Sequence, residues 1–520
     1  MKTSHKYIDQ LIELIRSLND LEVTLLKKQV LAAKSKNTKM LDLFEFIEHN
    51  HEIRLEILLS KFSQNSSPSS FNKLINRLIG RIQDFLITDV IKKQNEVYSE
   101  SFRVSFTLRK ELLKSDVLIS KGLHQQAEQK LKKIVIKSKK FEYYIFLLDA
   151  LYKLLSFSTK LTQTSVNDLL LEIEHYENCR SKYLSARKYY NTLEKDLNAT
   201  SIQKDKDFPF EVYIKQLLIY AQETNSANIY SYYYLLAMEY SYRVRNIQRE
   251  IDLGVSFIRL VKDSKVVYSK TRLGYINSTL SNSAISVAQF ELGHMFSSNA
   301  IYWTKENKKS NLLTAFLTQI KALIYLGNYQ EVLKTIDQLK EFDYLFQKDY
   351  NSALLSYYKV VNAILLGIHQ ISTDLINNLT KFSKHKEGWN IWIQILRIQV
   401  YLEMEKFSEV EYLIENLRKY LERNKEKYQI KERLFLISKL FIELKTCNFD
   451  FKQAAEKKPE VMSKLKSLHE DCRWDGRTPE IILFHDWFAA KVNGEPYQPN
   501  FEPYRIDLKV DEAEFESMTS

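Results

Sequence analysis

The chain has 520 residues, of which 45% are hydrophobic, and this content is sufficient to form a sizeable buried core. It contains only 10 glycines and 7 prolines, too few for the many tight turns of an all-β or doubly wound α/β fold. The formal net charge of +11 is modest for this length and does not by itself indicate a nucleic-acid partner. The composition therefore predicts an all-α protein.

The first part of the chain carries apolar residues at helical spacing, which predicts an N-terminal helical segment over residues 1–62. One helix is expected to start at Asn19, whose side chain can cap it while Glu22 completes a capping box. Residues 63–70 contain no large apolar side chain, and their serines compete with helical hydrogen bonds. A domain boundary is predicted there, followed by a first helical-repeat section over residues 71–200.

Four segments share one turn pattern, and each lies between two helix-length apolar stretches: residues 122–127, 327–332, 367–372 and 405–410. Each begins with Gly or Glu, has an aromatic residue or His two positions later, and has a short side chain three positions after that. A glycine can adopt the turn conformation that a Cβ disfavours, while the short side chain allows two helices to pack closely. A weaker copy is assigned to Gly293, with Ser298 as its short residue, which gives turn intervals of 34, 40 and 38 residues.

Large core residues are expected at two positions downstream of each turn. The first set is Leu131, Ile336, Ile376 and Ile414, and the second set, three residues further on, is Ile134, Leu339, Leu379 and Leu417.

This pattern resembles the turn of the tetratricopeptide repeat. The resemblance implies an α-solenoid of stacked helical hairpins, with its main part over residues 208–458. It also implies that the first helix of each hairpin lines a groove that binds a protein or peptide partner. Counting back from the turns, the implied groove residues are Leu317, Lys321, Tyr357, Val361, Ile395 and Gln399, with Trp392 at the edge. These residues do not reproduce the Lys, Asn and Arg set of the carboxylate-binding members, so that binding mode is not implied.

The composition changes near the C-terminus, where five of the seven prolines follow residue 458. This change predicts a C-terminal helical cap and an acidic tail over residues 459–520. Stacked repeats need a terminal element that covers the last apolar face. A helix over residues 480–491 is expected to contribute to this cap through Ile481, Ile482, Phe484, Trp487 and Phe488.

Residues 101–140 are basic, with eleven lysines and arginines against three acidic residues. A basic patch is predicted on one helix face, since its four lysines recur at helical spacing: Lys130, Lys133, Lys137 and Lys140. Such a face can meet phosphates, which makes nucleic acid the alternative partner. Tyrosines and arginines over residues 230–249 support the same alternative, because aromatic rings stack on bases. The simpler interpretations are a solvated helix face for the lysines and gap filling between helices for the tyrosines.

Signatures of catalysis are missing from the sequence, which has no phosphate-binding loop, Rossmann glycine motif, nucleophile elbow or CxxC pair. The best metal-like cluster is His469, Cys472, His485 and Asp486, and packing within the cap is its simpler interpretation. No catalysis, cofactor or metal is therefore expected. The leading hypothesis is a non-catalytic scaffold that mediates protein–protein interaction, with an enzyme of unrecognised site as a further alternative.

The compartment is predicted from three further observations. Three cysteines are too few and too widely spread for a disulfide framework. The N-terminus has no apolar run of signal-peptide type, and no segment is apolar enough to span a bilayer. A cytoplasmic protein without membrane association is expected.

Overall fold

In the computed structural model of the chain, the described residues are 2–18, 20–28, 38–50, 57–58, 61–62, 68–91, 99–157, 166–198, 210–305, 310–346, 349–368, 375, 379, 389–428 and 431–509. These residues form 22 α-helices and two 3-10 helices, and they contain no strand. The predicted all-α class is thereby confirmed. No helix among them combines the length and apolar character needed to cross a bilayer.

The chain divides into two compact units, residues 1–184 and 185–520. Helices α1–α4 of the first unit share one hydrophobic core, and α5–α8 share another. Phe71 and Ile75 of α4 lie in the same hydrophobic core as residues of α1. The domain boundary predicted between residues 62 and 71 stays a prediction. The helices are α1 (Lys2–Arg16), α2 (Asp20–Leu26), α3 (Thr38–His49), α4 (Pro68–Ile91), α5 (Glu100–Ser120), α6 (His124–Lys140), α7 (Tyr144–Phe157) and α8 (Val166–Asn198), the last of which contains the division between the units.

The second unit has two hydrophobic cores, one over residues 227–296 and a larger one over residues 285–501. The larger core joins the middle of the unit to its C-terminal part. The helices are α9 (Phe210–Thr224), α10 (Ala227–Arg243), α11 (Ile247–Asp263), α12 (Lys270–Ser286), α13 (Phe290–Thr304), α14 (Ser310–Tyr325), α15 (Tyr329–Leu339), α16 (Asp349–Leu365), α17 (Trp389–Glu403), α18 (Phe407–Tyr428), α19 (Glu432–Thr446), α20 (Phe451–Lys457), α21 (Pro459–Lys466) and α22 (Phe484–Asn493). The two 3-10 helices are Lys340–Phe346 and Glu502–Tyr504.

The four predicted turns have the left-handed backbone conformation that their pattern requires. Gly122, Gly327 and Gly367 have φ angles of 75°, 75° and 70°, and Glu405 has a φ angle of 55°. In each turn the next residue donates its N–H to the carbonyl five residues back, at 2.9 Å: Leu123 to Leu118, Asn328 to Leu323, Ile368 to Ala363 and Lys406 to Tyr401. This is the Schellman end of a helix, which explains why glycine is favoured at three of the four positions.

The prediction that Gly293 is a turn residue is wrong. Gly293 lies inside α13, and the turn residue is Ala288, with a φ angle of 58°. Counted from Ala288, Phe290 takes the aromatic position and Gly293 takes the short position that was assigned to Ser298. A Cβ on Gly293 would lie 2.6 Å from Cγ1 of Ile285, so this glycine permits close helix packing. With this correction the turn intervals are 39, 40 and 38 residues.

The same turn occurs at Arg245, with a φ angle of 61°, where Asn246 donates its N–H to the Ser241 carbonyl at 2.9 Å. The position five residues after the turn is buried in the following cases: Ala127, Glu250, Gly293, Val332 and Val410. The predicted core positions downstream are also buried, except Ile376, which lies outside the described residues. Four of these five residues are short, and Glu250 departs from the pattern.

Several predicted features fall outside the described residues: the helix start at Asn19, most of the boundary at residues 63–70, the break between the section ending at residue 200 and the one starting at residue 208, and the last ten residues of the predicted tail. The predicted start of the C-terminal helix at residue 480 is wrong, because α22 begins at Phe484. The reason is that the Glu480 carboxylate accepts the backbone N–H of Phe484 at 3.1 Å and takes part in the N-terminal turn from outside the helix.

Candidate functional site

The predicted groove residues lie in the interior of the second unit. Six of them have exposed fractions of 6% or less: Leu317, Tyr357, Val361, Trp392, Ile395 and Gln399. The seventh, Lys321, is half-buried. The apolar members belong to the larger core, which also contains Trp474, Ile481 and Phe484 from the C-terminal part of the chain.

Two of the groove residues, Lys321 and Tyr357, bind the backbone of residues 474–504, which we term the C-terminal segment. Lys321 Nζ donates to the carbonyl oxygens of Gly476 at 2.7 Å and Thr478 at 3.4 Å. The Tyr357 hydroxyl donates to the carbonyl of Pro479 at 2.6 Å. On the same helix as Lys321, the Tyr325 hydroxyl donates to the carbonyl of Glu480 at 3.0 Å. These groove residues are therefore packed against other parts of the same chain, and their predicted binding role stays a prediction.

A buried ion pair fixes this segment to α19. Arg433 Nε and Nη2 donate to the two carboxylate oxygens of Glu480, both at 2.7 Å, and Nη1 donates to the carbonyls of Leu465 and Cys472. The exposed fractions of the Arg433 and Glu480 side chains are 3% and 1%. Burial lowers the pKa of Arg433, but the Glu480 carboxylate more than offsets this effect, and the net shift is upward. The Arg433 guanidinium is therefore charged, and its N–H donors are satisfied.

The predicted metal-like cluster does not form a cation site. His469 is exposed and Cys472 is buried, while Arg433 Nη2 donates to Nδ1 of His485 at 3.2 Å. Burial, together with the positive charge of Arg433, lowers the pKa of His485 to about 3, so its imidazole is neutral. Among the described residues no group of three or more His, Cys, Asp or Glu side chains could hold a metal ion. The adjacent guanidinium also repels a cation.

The predicted basic patch lies on α6. Lys130 pairs with Glu111 at 2.7 Å, whereas Lys133, Lys137 and Lys140 form no ion pair within the described part of the chain. On the opposite side of this helix the predicted core residues Leu131, Ile134 and Val135 are buried. Three of the four lysines are therefore available for an anionic partner, and the same arrangement fits a solvated helix face.

The tyrosines over residues 230–242 pack between neighbouring helices. The Tyr232 ring stacks on that of Tyr190 at 5.0 Å, and the Tyr234 ring stacks on that of Phe257 at 5.4 Å. The Tyr240 hydroxyl donates to Glu211 at 2.9 Å. Two of the three arginines that follow are also engaged: Arg243 bonds Glu239, and Arg245 bonds Glu470.

The sequence analysis missed a surface on helices α5 and α7 of the first unit. The Arg109 guanidinium of α5 lies 5.6 Å from the ring centroids of both Phe106 and Phe146, the latter on α7. Seven residues further along both helices, Lys153 Nζ lies 2.6 Å from Asp116 of α5. Each link joins a residue of α5 to the residue 37 positions later on α7, so α5 and α7 run parallel. No periodicity in the sequence indicates which of their side chains stay exposed.

Comparison with known proteins adds no family to these observations. No model of a known protein family matches the chain, and no curated protein matches it. Its function is therefore inferred from its own residues.

Proposed function

We propose that this chain is a non-catalytic scaffold of tetratricopeptide-like helical hairpins that binds another protein. The observation that carries this proposal is the recurring Schellman turn, followed five residues later by a buried packing position. A unit repeated in this way buries its apolar face against its neighbours and leaves a long surface for recognition.

The proposed partner binds outside the predicted groove. Leu317, Lys321, Tyr357 and their neighbours are covered by the C-terminal segment, which is held by the buried Arg433–Glu480 pair. Displacing this segment would expose a large apolar area and separate a buried ion pair, and both steps cost free energy. The remaining helix faces are therefore the better candidates for partner recognition.

Affinity purification of the full-length chain from its native cells, with nuclease present throughout, tests the proposal. We expect one protein to co-purify at constant stoichiometry, and the same complex to form when the two recombinant proteins are mixed. Recovery of the chain without a stoichiometric protein in repeated purifications would contradict a scaffold function.

Nucleic-acid binding is the second candidate, and the unpaired Lys133, Lys137 and Lys140 favour it. Reversing the charge of Lys130 and these three lysines should abolish binding of a fluorescent single-stranded RNA at low salt, where phosphate contacts are strongest. Equal affinity in the native chain and the variant would refute the assignment to this patch.

The proposed scaffold needs no cofactor and works in the cytoplasm. All three cysteines, Cys179, Cys447 and Cys472, are buried and unpaired, which suits a reducing compartment. An enzyme with an unrecognised site remains a separate hypothesis that none of these contacts favours.

A further inference from the structure

Helices α5 and α7 present a mixed apolar and charged surface, defined by Arg109, Leu113 and Val117 on α5 and by Ile145 and Tyr152 on α7. We term it the α5–α7 face. The apolar side chains Leu113, Val117 and Ile145 have exposed fractions of 68%, 54% and 65%. Single exposed side chains of this kind are ordinary, but these lie on two adjacent parallel helices. They therefore form a candidate docking surface.

The unpaired charge of α5 and of the helix that follows it, α6, is positive. All three acidic residues between positions 101 and 140 are already bonded to lysines: Glu111 to Lys114 and Lys130, Asp116 to Lys153, and Glu128 to Lys132. On α7, Asp149 shares Lys153 with Asp116. Six basic side chains between positions 101 and 140 form no ion pair within the described residues: Arg109, Lys110, Lys121, Lys133, Lys137 and Lys140. An acidic partner is the one that complements this balance.

Arg109 is the basic group best placed to recognise a carboxylate. Its guanidinium is held between the rings of Phe106 and Phe146, 5.6 Å from each centroid, and these contacts leave its N–H donors unused. Leu113 follows Arg109 by one helical turn on the same side of α5. A carboxylate on Arg109 would therefore lie beside the exposed Leu113 side chain.

In the second unit, two helices bind an extended segment of the chain. There, α14 and α16 hold the C-terminal segment through Lys321, Tyr325 and Tyr357, which donate to backbone carbonyls while apolar side chains pack between them. The corresponding donors of α7 are engaged within the first unit, since the Tyr152 hydroxyl donates to Glu177 and Lys153 Nζ binds Asp116 and Asp149. Leu113, Val117 and Ile145 are instead left exposed by the described residues of this unit.

We propose that the α5–α7 face binds an acidic segment of another protein, with a carboxylate on Arg109 and an apolar side chain against Leu113 and Ile145. This inference rests on the proposed scaffold function and names its partner class. Leu113, Val117 and Ile145 offer nothing to a phosphate backbone, so a protein segment fits this face better than a nucleic acid does.

Fluorescence anisotropy with the full-length chain and four probes tests the proposal. The probes are a labelled 14-residue peptide of Glu, Asp and Leu, the same peptide with Ser for Leu, the same peptide with Lys for Glu and Asp, and a 20-nucleotide oligouridine. We expect only the first peptide to bind well. Arg109→Glu and Leu113→Ser should each lower the affinity for this peptide by about tenfold, a loss typical of a contact at the centre of an interface.

Matched controls in the second unit separate a local effect from a general one. Arg423→Glu and Leu333→Ser change exposed residues of the same types in α18 and α15 and should leave the affinity unchanged. Circular dichroism melts establish that all variants fold. Binding of the Ser peptide as tight as that of the Leu peptide, tighter binding of oligouridine, or no effect of the two face variants would overturn the proposal.

The two proposals can fail separately. A stoichiometric protein partner whose binding is insensitive to Arg109→Glu would retain the scaffold function and remove the α5–α7 face as its site. Absence of any stoichiometric partner would remove the scaffold function itself.

Discussion

Glu250 is a buried carboxyl group at a position that otherwise holds a short side chain. The Ser283 hydroxyl donates to its Oε1 at 2.7 Å, and its Oε2 has no hydrogen-bond partner in the described part of the chain. Burial raises the pKa of Glu250 to about 8, with the nearby Glu239 adding to the shift and the Ser283 hydrogen bond opposing it. At neutral pH the group is therefore largely protonated in the folded state.

This pKa predicts a pH-dependent effect of Glu250→Gln. Between pH 4.5 and about 8 the folded state retains a proton that the unfolded state has lost, so stability decreases as pH rises, by about 1.4 kcal/mol per pH unit. Gln mimics the protonated group and removes this loss. The melting temperature of the variant should exceed that of the native chain at pH 8, with a smaller difference at pH 5. Glu291→Gln, at an exposed position of α13, should show no such trend, and a pH-independent difference for Glu250→Gln would contradict the assignment.

The Arg433–Glu480 pair predicts a larger effect of a single substitution. Arg433→Met leaves the Glu480 carboxylate buried without its partner and should lower the free energy of unfolding by about 3–5 kcal/mol. Replacing both residues with Met should recover part of this loss, because no uncompensated charge remains. Urea unfolding followed by the fluorescence of the buried tryptophans near this pair measures both effects.

Arg418→Met is the matched control for that experiment, since its pair with Glu415 lies on the surface of α18. Arg418→Met should have little effect on the free energy of unfolding. A single Arg433 variant that is as stable as the double variant would show that the buried pair does not hold the C-terminal segment.

At the level of single elements, the turns could be predicted because their signal is local. Gly122, Gly327 and Gly367 mark the left-handed residue directly, and the Glu405 turn was recognised from the residues that follow it. The turn at Ala288 was misplaced by five residues because a nearby glycine, which serves helix packing, resembled the expected signal. Residue type alone does not distinguish a glycine that adopts positive φ from one that permits close approach.

The turns also predict opposite effects of two substitutions. Gly327→Ala places a side chain at a φ angle of 75°, where no neighbouring atom lies within 4 Å of the added Cβ, so the cost is conformational and about 1 kcal/mol. Glu405→Gly should stabilise the chain by up to about 1 kcal/mol for the same reason. Thermal unfolding measures both.

Gly80→Ala supplies the control for the glycine substitution, because Gly80 lies inside α4, is free of close contacts and has no positive φ. There alanine should stabilise the helix. Equal effects at Gly80 and Gly327 would mean that the turn conformation is not the cause.

At the scale of the whole molecule, the limit of sequence reasoning lies in long-range contacts. The C-terminal segment was expected to cover an apolar face, and Ile481, Ile482 and Trp487 are indeed buried. Its contacts with Lys321, about 155 residues earlier in the chain, leave no periodic signal in either segment. The α5–α7 face was missed for a related reason, since the exposure of Leu113 depends on how neighbouring helices pack.

Hydrogen exchange of the full-length chain, alone and in complex with its purified partner, tests the central claim most directly. We expect the partner to slow exchange in α5 and α7, while α14 and residues 474–483 exchange at the same rate in both states. Faster exchange in residues 474–483 together with slower exchange in α14 would contradict this account. That result would mean that the partner displaces the C-terminal segment and occupies the groove.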